Sequence, residues 1–216
     1  MIEYIYIDRQ DQLDLAISQL DKADFLSVDT ESSSFYTYYS ELCLIQISSN
    51  RLHLVIDALA SLDLSGLGKL FNGLSILKIF HDAPADMTEL HRRYHWPIHR
   101  IFDTHLAAKY LNHESCSLLA LAKYYIGVQL EKKEQKSNWL KRPLSKSQLD
   151  YAHLDTLYLQ PIQDQMTASL KKSNLYIEFE SEMDWLVSNL DFTNTKEESD
   201  PANDWLKVKG ASKLLP

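Results

Sequence analysis

Short apolar runs separated by turn residues dominate the first half of the chain. These runs are rich in β-branched and aromatic side chains and predict strands at residues 4–7, 25–31, 42–48, 52–56 and 76–80. The second, third and fourth runs follow one another closely through serine-containing turns, which indicates an antiparallel meander. The last run is largely apolar and is typical of a strand covered on both faces.

Helical stripes of apolar residues fill most of the remaining sequence. Apolar positions three and four residues apart predict helices at residues 12–20, 64–70, 84–93, 117–125, 145–166 and 176–190. A further helix begins at Asp103 or Thr104, either of which can act as its N-cap. Ser145 is the expected N-cap of the long helix.

Composition and charge narrow the class of protein. A chain of 216 residues with 45% apolar content can bury one sizeable core, and only five glycines and six prolines exclude collagen-like and linker-type sequences. The formal net charge of −8 argues against a general basic coat for nucleic acid, but it allows a local basic groove or bound divalent cations. Cys43 and Cys116 lie far apart among apolar neighbours, so we expect reduced core thiols.

The two ends of the chain give expectations about compartment and domains. The start has no basic stretch followed by an apolar one, and no segment reaches about 18 consecutive apolar residues, so we expect a cytoplasmic protein that makes no use of a membrane. Residues 193–203 are polar throughout, which is typical of a linker. We therefore expect an ordered domain over residues 1–192, and a tail over 193–216 that cannot form a core alone.

Acidic residues near strand ends are the first candidates for catalysis. Asp29 and Glu31 stand two apart at the end of an apolar strand, so both carboxylates point to one face while Thr30 points away. Asp86 falls in the first turns of the helix that follows the strand at 76–80. Taken singly, such residues are usually solvated turn acids or a partner of the helix dipole.

A second candidate pair lies on the long helix. Tyr151 and Asp155 are four residues apart and so lie one turn above each other, whereas His153 is on a different face. A surface hydrogen bond is the plain explanation for this pair. Four carboxylates gathered in one place would repel strongly unless divalent cations neutralised them, and such oxygen ligands suit magnesium or manganese.

The candidate acids lie in three short segments: Asp29-Thr30-Glu31, His81-Asp82-Ala83-Pro84-Ala85-Asp86 and Tyr151-Ala152-His153-Leu154-Asp155. These segments resemble the exonuclease motifs of the DEDDy 3′-to-5′ exonucleases, in their ribonuclease D branch. Flanking stretches resemble the same branch: Tyr38-Tyr39, Leu42-Cys43-Leu44-Ile45-Gln46, Phe102-Asp103-Thr104 and Trp139-Leu140-Lys141-Arg142-Pro143-Leu144-Ser145. The likeness covers about residues 25–163, with the motifs in the family's order.

The resemblance implies a fold and a site. The fold is an α/β domain of the ribonuclease H-like kind, a mixed sheet flanked by helices, as in DnaQ-like exonucleases. The site would hold two divalent cations, Mg²⁺ or Mn²⁺, on four carboxylates: Asp29, Glu31, Asp86 and Asp155. Tyr151 resembles the residue that positions the attacking water. A histidine-type relative would carry its base at the position of Asp150, so the tyrosine class is the better match.

The resemblance also implies an activity. It is metal-dependent 3′-to-5′ hydrolysis of RNA to nucleoside 5′-monophosphates, with single-stranded 3′ tails of transfer RNA precursors as the usual substrate class. Because two-metal chemistry does not itself require the 2′-hydroxyl, a 3′-to-5′ exodeoxyribonuclease is one alternative. A non-catalytic RNA-binding module that retained the fold is another. We expect the protein to be a monomer.

The chain departs from the family pattern beside the first motif. Family members often carry an aromatic residue directly after Asp-Thr-Glu, an arginine two positions further on and a proline after the paired aromatics, where this chain has Ser32, Ser34 and Ser40. Serine offers neither charge nor stacking surface, so we expect weak, salt-sensitive substrate binding. Basic residues that could compensate are Lys132, Lys133, Lys136, Lys141 and Arg142.

Two surface segments have open interpretations. An aromatic run, Phe35, Tyr36, Tyr38 and Tyr39, is a candidate platform for base stacking, with packing against an edge strand as the alternative. Residues 131–136 predict an exposed, lysine-rich loop, with contact to phosphates as the alternative.

Residues 204–210 resemble the opening of the helical HRDC-type module of longer ribonuclease D proteins, so we expect an accessory substrate-binding module to be missing.

Overall fold

A computed structural model describes residues 3–190. Its strands are β1 Ile5–Ile7, β2 Phe25–Ser32, β3 Leu42–Ser48, β4 His53–Asp57, β5 Leu77–Phe80 and β6 Ile101–Asp103. They form one sheet in the order β1-β4-β3-β2-β5-β6. Strands β2, β3 and β4 pair antiparallel, which confirms the meander, whereas β1 pairs with β4, and β5 with β2 and β6, in parallel.

Helices cover this mixed sheet. They are α1 Gln10–Leu20, α2 Ser65–Asn72, α3 Ala83–Tyr94, α4 Thr104–Tyr110, α5 Leu118–Ile126, α6 Lys146–Leu157, α7 Leu159–Lys172 and α8 Tyr176–Asn189. Ser145 and Gln148 form a capping box at the start of α6, as the sequence predicts for Ser145. Gly127 ends α5 in the left-handed conformation, at a φ of 69°. The expected architecture of a mixed sheet flanked by helices is confirmed.

The sheet is buried on both faces near its centre. Every residue of β3 is buried, because α6 packs on one face of β2, β3 and β4 while the alternate side chains of these strands join the main core. Leu44 and Val55 belong to one apolar cluster with Ala152 of α6, whereas Ile45 and Ile47 belong to the larger cluster on the other face. β2 therefore lies between two layers of the molecule.

The helix expected at residues 145–166 is two helices, which corrects that prediction. α6 ends at Leu157, Tyr158 forms the junction, and α7 starts at Leu159. Pro161 explains the break, since it has no N–H to donate to the carbonyl of Leu157 and its ring would clash with that carbonyl. In the first turn of a new helix the same proline is tolerated.

Other expectations differ in detail. The sequence indicates only a short apolar stretch before Asp103, yet Ile101–Asp103 forms the sixth strand of the sheet.

Cys43 is buried and Cys116 half-buried, and both are free thiols. Within residues 3–190 no helix is both long and apolar enough to span a membrane. The linker and the HRDC-like segment predicted at 193–216 lie outside the described residues.

Candidate active site

Three carboxylates meet where β2 passes under α6. Asp29 and Glu31 occupy alternate positions of β2, opposite Gln46 and Leu44 of β3, and so share one face. Asp155 comes from α6, which packs across that face. Oxygens of Asp29, Glu31 and Asp155 lie within 4.8 Å of one another. The structure thus brings together three of the four carboxylates that the sequence singles out.

Asp86 approaches the same place from the other side of β2. It lies in the first turn of α3 and is buried, with 6% of its surface exposed. The Thr30 hydroxyl donates to its Oδ1 at 2.6 Å. Thr30 therefore points away from Asp29 and Glu31, as strand geometry predicts, and contacts a fourth carboxylate there. Sequence reasoning missed this contact because strand period does not say which helix lies behind β2.

The electrostatics of the cluster are those of crowded, desolvated acids. Burial raises the pKa of Asp29 to about 7. For Glu31, burial acts first and the charges of the neighbouring carboxylates add to it, which raises its pKa to about 10. Burial, then the charge of Asp29, also raises the pKa of Asp86 and Asp155 well above the ordinary range. If these carboxyl groups are ionised in the native protein, positive charge must lie among them to offset their repulsion.

The donor set fits divalent cations. Among the described residues, no ion pair joins any of the four carboxylates to a lysine, arginine or histidine. Clustered carboxylate oxygens are the ligands that magnesium and manganese prefer, and such ions would remove the mutual repulsion. Gln46 adds a buried amide opposite Asp29, and neither polar atom of that amide has a hydrogen-bond partner within residues 3–190.

Tyr151 lies beside this cluster on α6. Burial first, and then the charges of Asp155, Glu31 and Asp29, raise its pKa above the ordinary value, so its hydroxyl stays protonated near neutral pH. The indole ring of Trp139, which is 1% exposed, packs 6.3 Å from the ring of Tyr151. His153 contacts Tyr4 and His53 instead, so it faces away from the carboxylates.

The segment that carries Trp139 is fixed to the sheet by an ion pair. Arg142 binds Asp57, at the end of β4, through Nε and Nη2, both at 2.6 Å. Arg142 Nη1 also donates to the carbonyl of Trp139 at 2.6 Å, and Tyr6 donates to Asp57 at 2.6 Å. This bidentate pairing holds the half-buried guanidinium against the end of β4. The expectation that Arg142 helps to bind substrate stays a prediction.

Asp103 holds two helix starts at once. Its carboxylate accepts from the N–H groups of His105 and Leu106 in α4, which confirms its predicted role as a cap. It also accepts from the N–H groups of Asp82 and Ala83, at the start of α3. Sequence reasoning missed this second contact, which fixes the helix that carries Asp86. Only the pairing of β6 with β5 brings Asp103 next to α3.

The surface around the cluster has aromatic and basic side chains. The aromatic run Phe35, Tyr36, Tyr38 and Tyr39 is exposed by 51–62% and lies in turns rather than in a strand. Packing against an edge strand is therefore the wrong interpretation, and base stacking stays a prediction. Residues 131–136 form the expected exposed loop, where Lys133 pairs with Glu131.

The mixed sheet and the carboxylate cluster define an α/β domain whose site fits divalent cations. Comparison with known families makes this specific, since the model of a 3′-5′ exonuclease family matches residues 4–171. The chain belongs to this 3′-5′ exonuclease family. A ribonuclease D of Desulfotalea psychrophila is 33% identical over 210 residues, which cover 96% of this chain and 55% of the relative. The chain spans about half the length of this relative.

Solved structures agree with the assignment. The catalytic core of RRP6 from Trypanosoma brucei superposes with a TM-score of 0.83 at 26% identity, covering 88% of this chain and 53% of that one. Escherichia coli RNase D superposes with a TM-score of 0.82 at 25% identity, covering 99% and 56%. Brucella melitensis NrnC with bound Mg²⁺ gives 0.72 at 25% identity, covering 84% and 92%. The expected likeness to ribonuclease D and its fold is confirmed.

Proposed function

We propose that this protein is a 3′-to-5′ exoribonuclease that releases nucleoside 5′-monophosphates. The observation that carries the proposal is the cluster of Asp29, Glu31 and Asp155, with oxygens within 4.8 Å, beside a protonated tyrosine in a chain of the exonuclease family. Relatives named ribonuclease D, and a structural neighbour described as an exoribonuclease involved in structured RNA processing, favour RNA as the substrate.

The charge and position of each side chain in the site indicate its role. Asp29, Glu31, Asp86 and Asp155 would hold two divalent cations, which supply acidification of the attacking water and stabilisation of the leaving 3′-oxygen. Magnesium is the favoured ion, since a structural neighbour is known with bound Mg²⁺. Tyr151, protonated near neutral pH, would orient the water by a hydrogen bond. Trp139 packs beside its ring.

The substrate class follows from where the chemistry acts. A site that holds the terminal phosphodiester reads the end of a strand and tolerates any base. We therefore place single-stranded 3′ tails in the site, with those of transfer RNA precursors as the physiological class that the resemblance favours. The Escherichia coli neighbour, an exoribonuclease involved in structured RNA processing, supports structured RNA as the source of these tails.

Degradation of a 5′-labelled, single-stranded RNA tests the proposal. Incubation with magnesium or manganese should give a ladder of products shortened one nucleotide at a time from the 3′ end, and chelator should abolish it. Asp155→Asn protein is the matched control, and a DNA oligonucleotide of the same sequence tests the deoxyribonuclease alternative. Internal cleavage, or a ladder that persists in chelator, contradicts the proposal; binding without any turnover supports the non-catalytic alternative.

A further inference from the structure

Two surface loops meet beside the carboxylate cluster. The aromatic loop, residues 33–41, connects β2 to β3 and starts two residues after Glu31. The lysine loop, residues 131–138, precedes α6, which carries Tyr151 and Asp155. The aromatic loop therefore begins at the end of the strand that holds Asp29 and Glu31, and the lysine loop is followed by residues 139–145, which lead into α6.

Contacts join the two loops to each other. The Tyr36 hydroxyl donates to the carbonyl of Lys136 at 3.0 Å. The Lys136 Nζ lies 5.8 Å from the centroid of the Phe35 ring, a distance typical of a cation–π contact. Lys136 is exposed, and no ion pair with a carboxylate occupies it within residues 3–190. Its charge is thus available to a ligand.

Each loop is also fixed at its base. In the aromatic loop, Ser33 N–H donates to the carbonyl of Glu41 at 2.9 Å, and Glu41 N–H donates to Ser33 Oγ at 2.8 Å. In the lysine loop, Ser137 Oγ accepts from Gln148 Nε2 of α6 at 2.9 Å. These bonds hold the aromatic and basic side chains at a fixed place relative to the site.

We propose that Phe35, Tyr36 and Lys136 form a clamp for the single-stranded RNA that leads into the site. One base stacks on the exposed Phe35 ring, which is 62% exposed, and Lys136 binds a neighbouring phosphate. Tyr36 ties the two loops together so that both contacts fall on one strand. The inference rests on the proposed function and adds to it the residues that grip the strand.

The clamp supplies what the first motif lacks. The aromatic and arginine positions common in the family are Ser32 and Ser34 here, which can neither stack nor carry charge. Phe35 and Lys136 provide one aromatic face and one positive charge instead, from a different pair of loops. In a chain of net charge −8, the clamp would offer a phosphate one local positive charge.

Binding of a fluorescent ten-nucleotide RNA, followed by anisotropy in an Asp155→Asn background that cannot degrade it, tests the clamp. Phe35→Ala should weaken binding about tenfold, because stacking on one aromatic ring is lost, whereas Phe35→Trp should retain it. Lys136→Gln should reduce the slope of log affinity against log salt by about 0.7, the value for one phosphate contact on a single strand, and Lys136→Arg should restore it. Tyr124→Ala, which removes an aromatic ring that is 72% exposed on α5, is the control and should leave binding unchanged.

A second readout separates the clamp from the catalytic proposal. With the unmutated site, Phe35→Ala and Tyr36→Phe should raise KM for the ten-nucleotide RNA and leave kcat unchanged, because the clamp binds the strand and does not act on the reacting phosphate. Equal binding by Phe35→Ala and the parent, or a loss of kcat with KM unchanged, overturns the clamp. If the parent protein shortens no RNA at all, the proposed function fails, and the anisotropy measurements still decide whether the clamp exists.

Discussion

Asp155 is the carboxylate that α6 contributes to a cluster otherwise supplied by β2. Replacing it by asparagine keeps the shape of the side chain but removes the charge that a cation requires. We predict that Asp155→Asn lowers the rate of 3′ trimming by more than about a hundredfold, a loss at the upper end of those seen for residues that merely support metal ligands. Initial rates on labelled RNA measure this.

The fold of that variant should remain intact. Asp155 is a half-buried acid whose pKa is raised by desolvation and by the charge of Asp29, so removing its charge relieves repulsion in the protein without cations. Circular dichroism and thermal unfolding in chelator should therefore match or exceed the parent. Unchanged trimming by Asp155→Asn refutes its assignment as a ligand.

Tyr151→Phe separates orientation of the water from cation binding. The ring and its packing on Trp139 persist, and only the hydroxyl is lost. We predict a fall in kcat of about 10² to 10⁴, the range for a positioned proton-transfer group, with the cation-induced rise in melting temperature retained. If Tyr151→Phe also lost the cation-induced rise in melting temperature, Tyr151 would be needed for cation binding instead.

At the residue scale, strand and helix periods were enough to place Asp29 with Glu31, and Tyr151 with Asp155. They could not bring the two pairs together, because that depends on where α6 crosses the sheet. The likeness to a known family supplied this step. Neither the periodicity nor the family likeness predicted the hydrogen bond from the Thr30 hydroxyl to Asp86, because that bond depends on the position of α3 behind β2.

At the scale of elements, Asp103 joins two helix starts to the end of β6. We predict that Asp103→Ala destabilises the protein by about 2–4 kcal/mol, because two N-caps of about 1–2 kcal/mol each are lost. Urea unfolding measures the change. Ser117→Ala, which removes the single cap of α5, is the control and should cost about 1 kcal/mol. Equal effects of the two substitutions would contradict the double role.

The pair of Asp57 and Arg142 predicts how stability changes with pH. Burial alone would raise the pKa of Asp57, but hydrogen bonds from Arg142, Tyr6 and the Leu59 N–H outweigh it and hold that pKa below its ordinary value of 3.8. The unfolded state therefore binds the proton more readily than the native state. The stabilisation is fully present above about pH 4 and is lost as pH falls through the native pKa.

Asp57→Asn tests this through a difference between two proteins. At pH 7 the variant should be less stable by about 2–4 kcal/mol, because the half-buried guanidinium of Arg142 loses its partner. Urea titrations at pH 7, 4 and 3 should show this difference shrinking as the pH falls. A difference that stays constant with pH would mean that the shape of the side chain matters, not its charge.

The elements themselves were predictable where the pattern is long and regular. The meander and most helices follow from apolar period and capping residues such as Ser145. The failures have local causes: Pro161 divides a stretch whose apolar period continues, and Ile101–Asp103 is too short to show a period at all. In β5, Lys78 is fully buried and donates to the carbonyls of Gly73 and Ile76, which its charge alone does not suggest.

At the scale of the whole molecule, contacts between residues far apart in sequence determine features that no local sequence pattern predicts. The Asp57 pair joins positions 85 residues apart, and the Tyr36 contact joins positions 100 apart. No local pattern encodes either one. The same fold brings four acids close together, three of them half-buried and Asp86 buried, so the native state without cations contains a repulsion that the unfolded chain does not have. Cations should therefore stabilise the whole fold.

We predict that millimolar magnesium or manganese raises the melting temperature of the protein and that chelator reverses the rise. A ligand that binds only the native state adds about 2.7 kcal/mol at a hundred times its Kd, which for a domain of this size is about 5–10 °C. Differential scanning fluorimetry at constant ionic strength measures it, with sodium chloride as the control for screening. Asp155→Asn should lose most of the rise, because one of the three carboxylates within 4.8 Å is gone. A rise of equal size in that variant would place the stabilising cations elsewhere on the molecule.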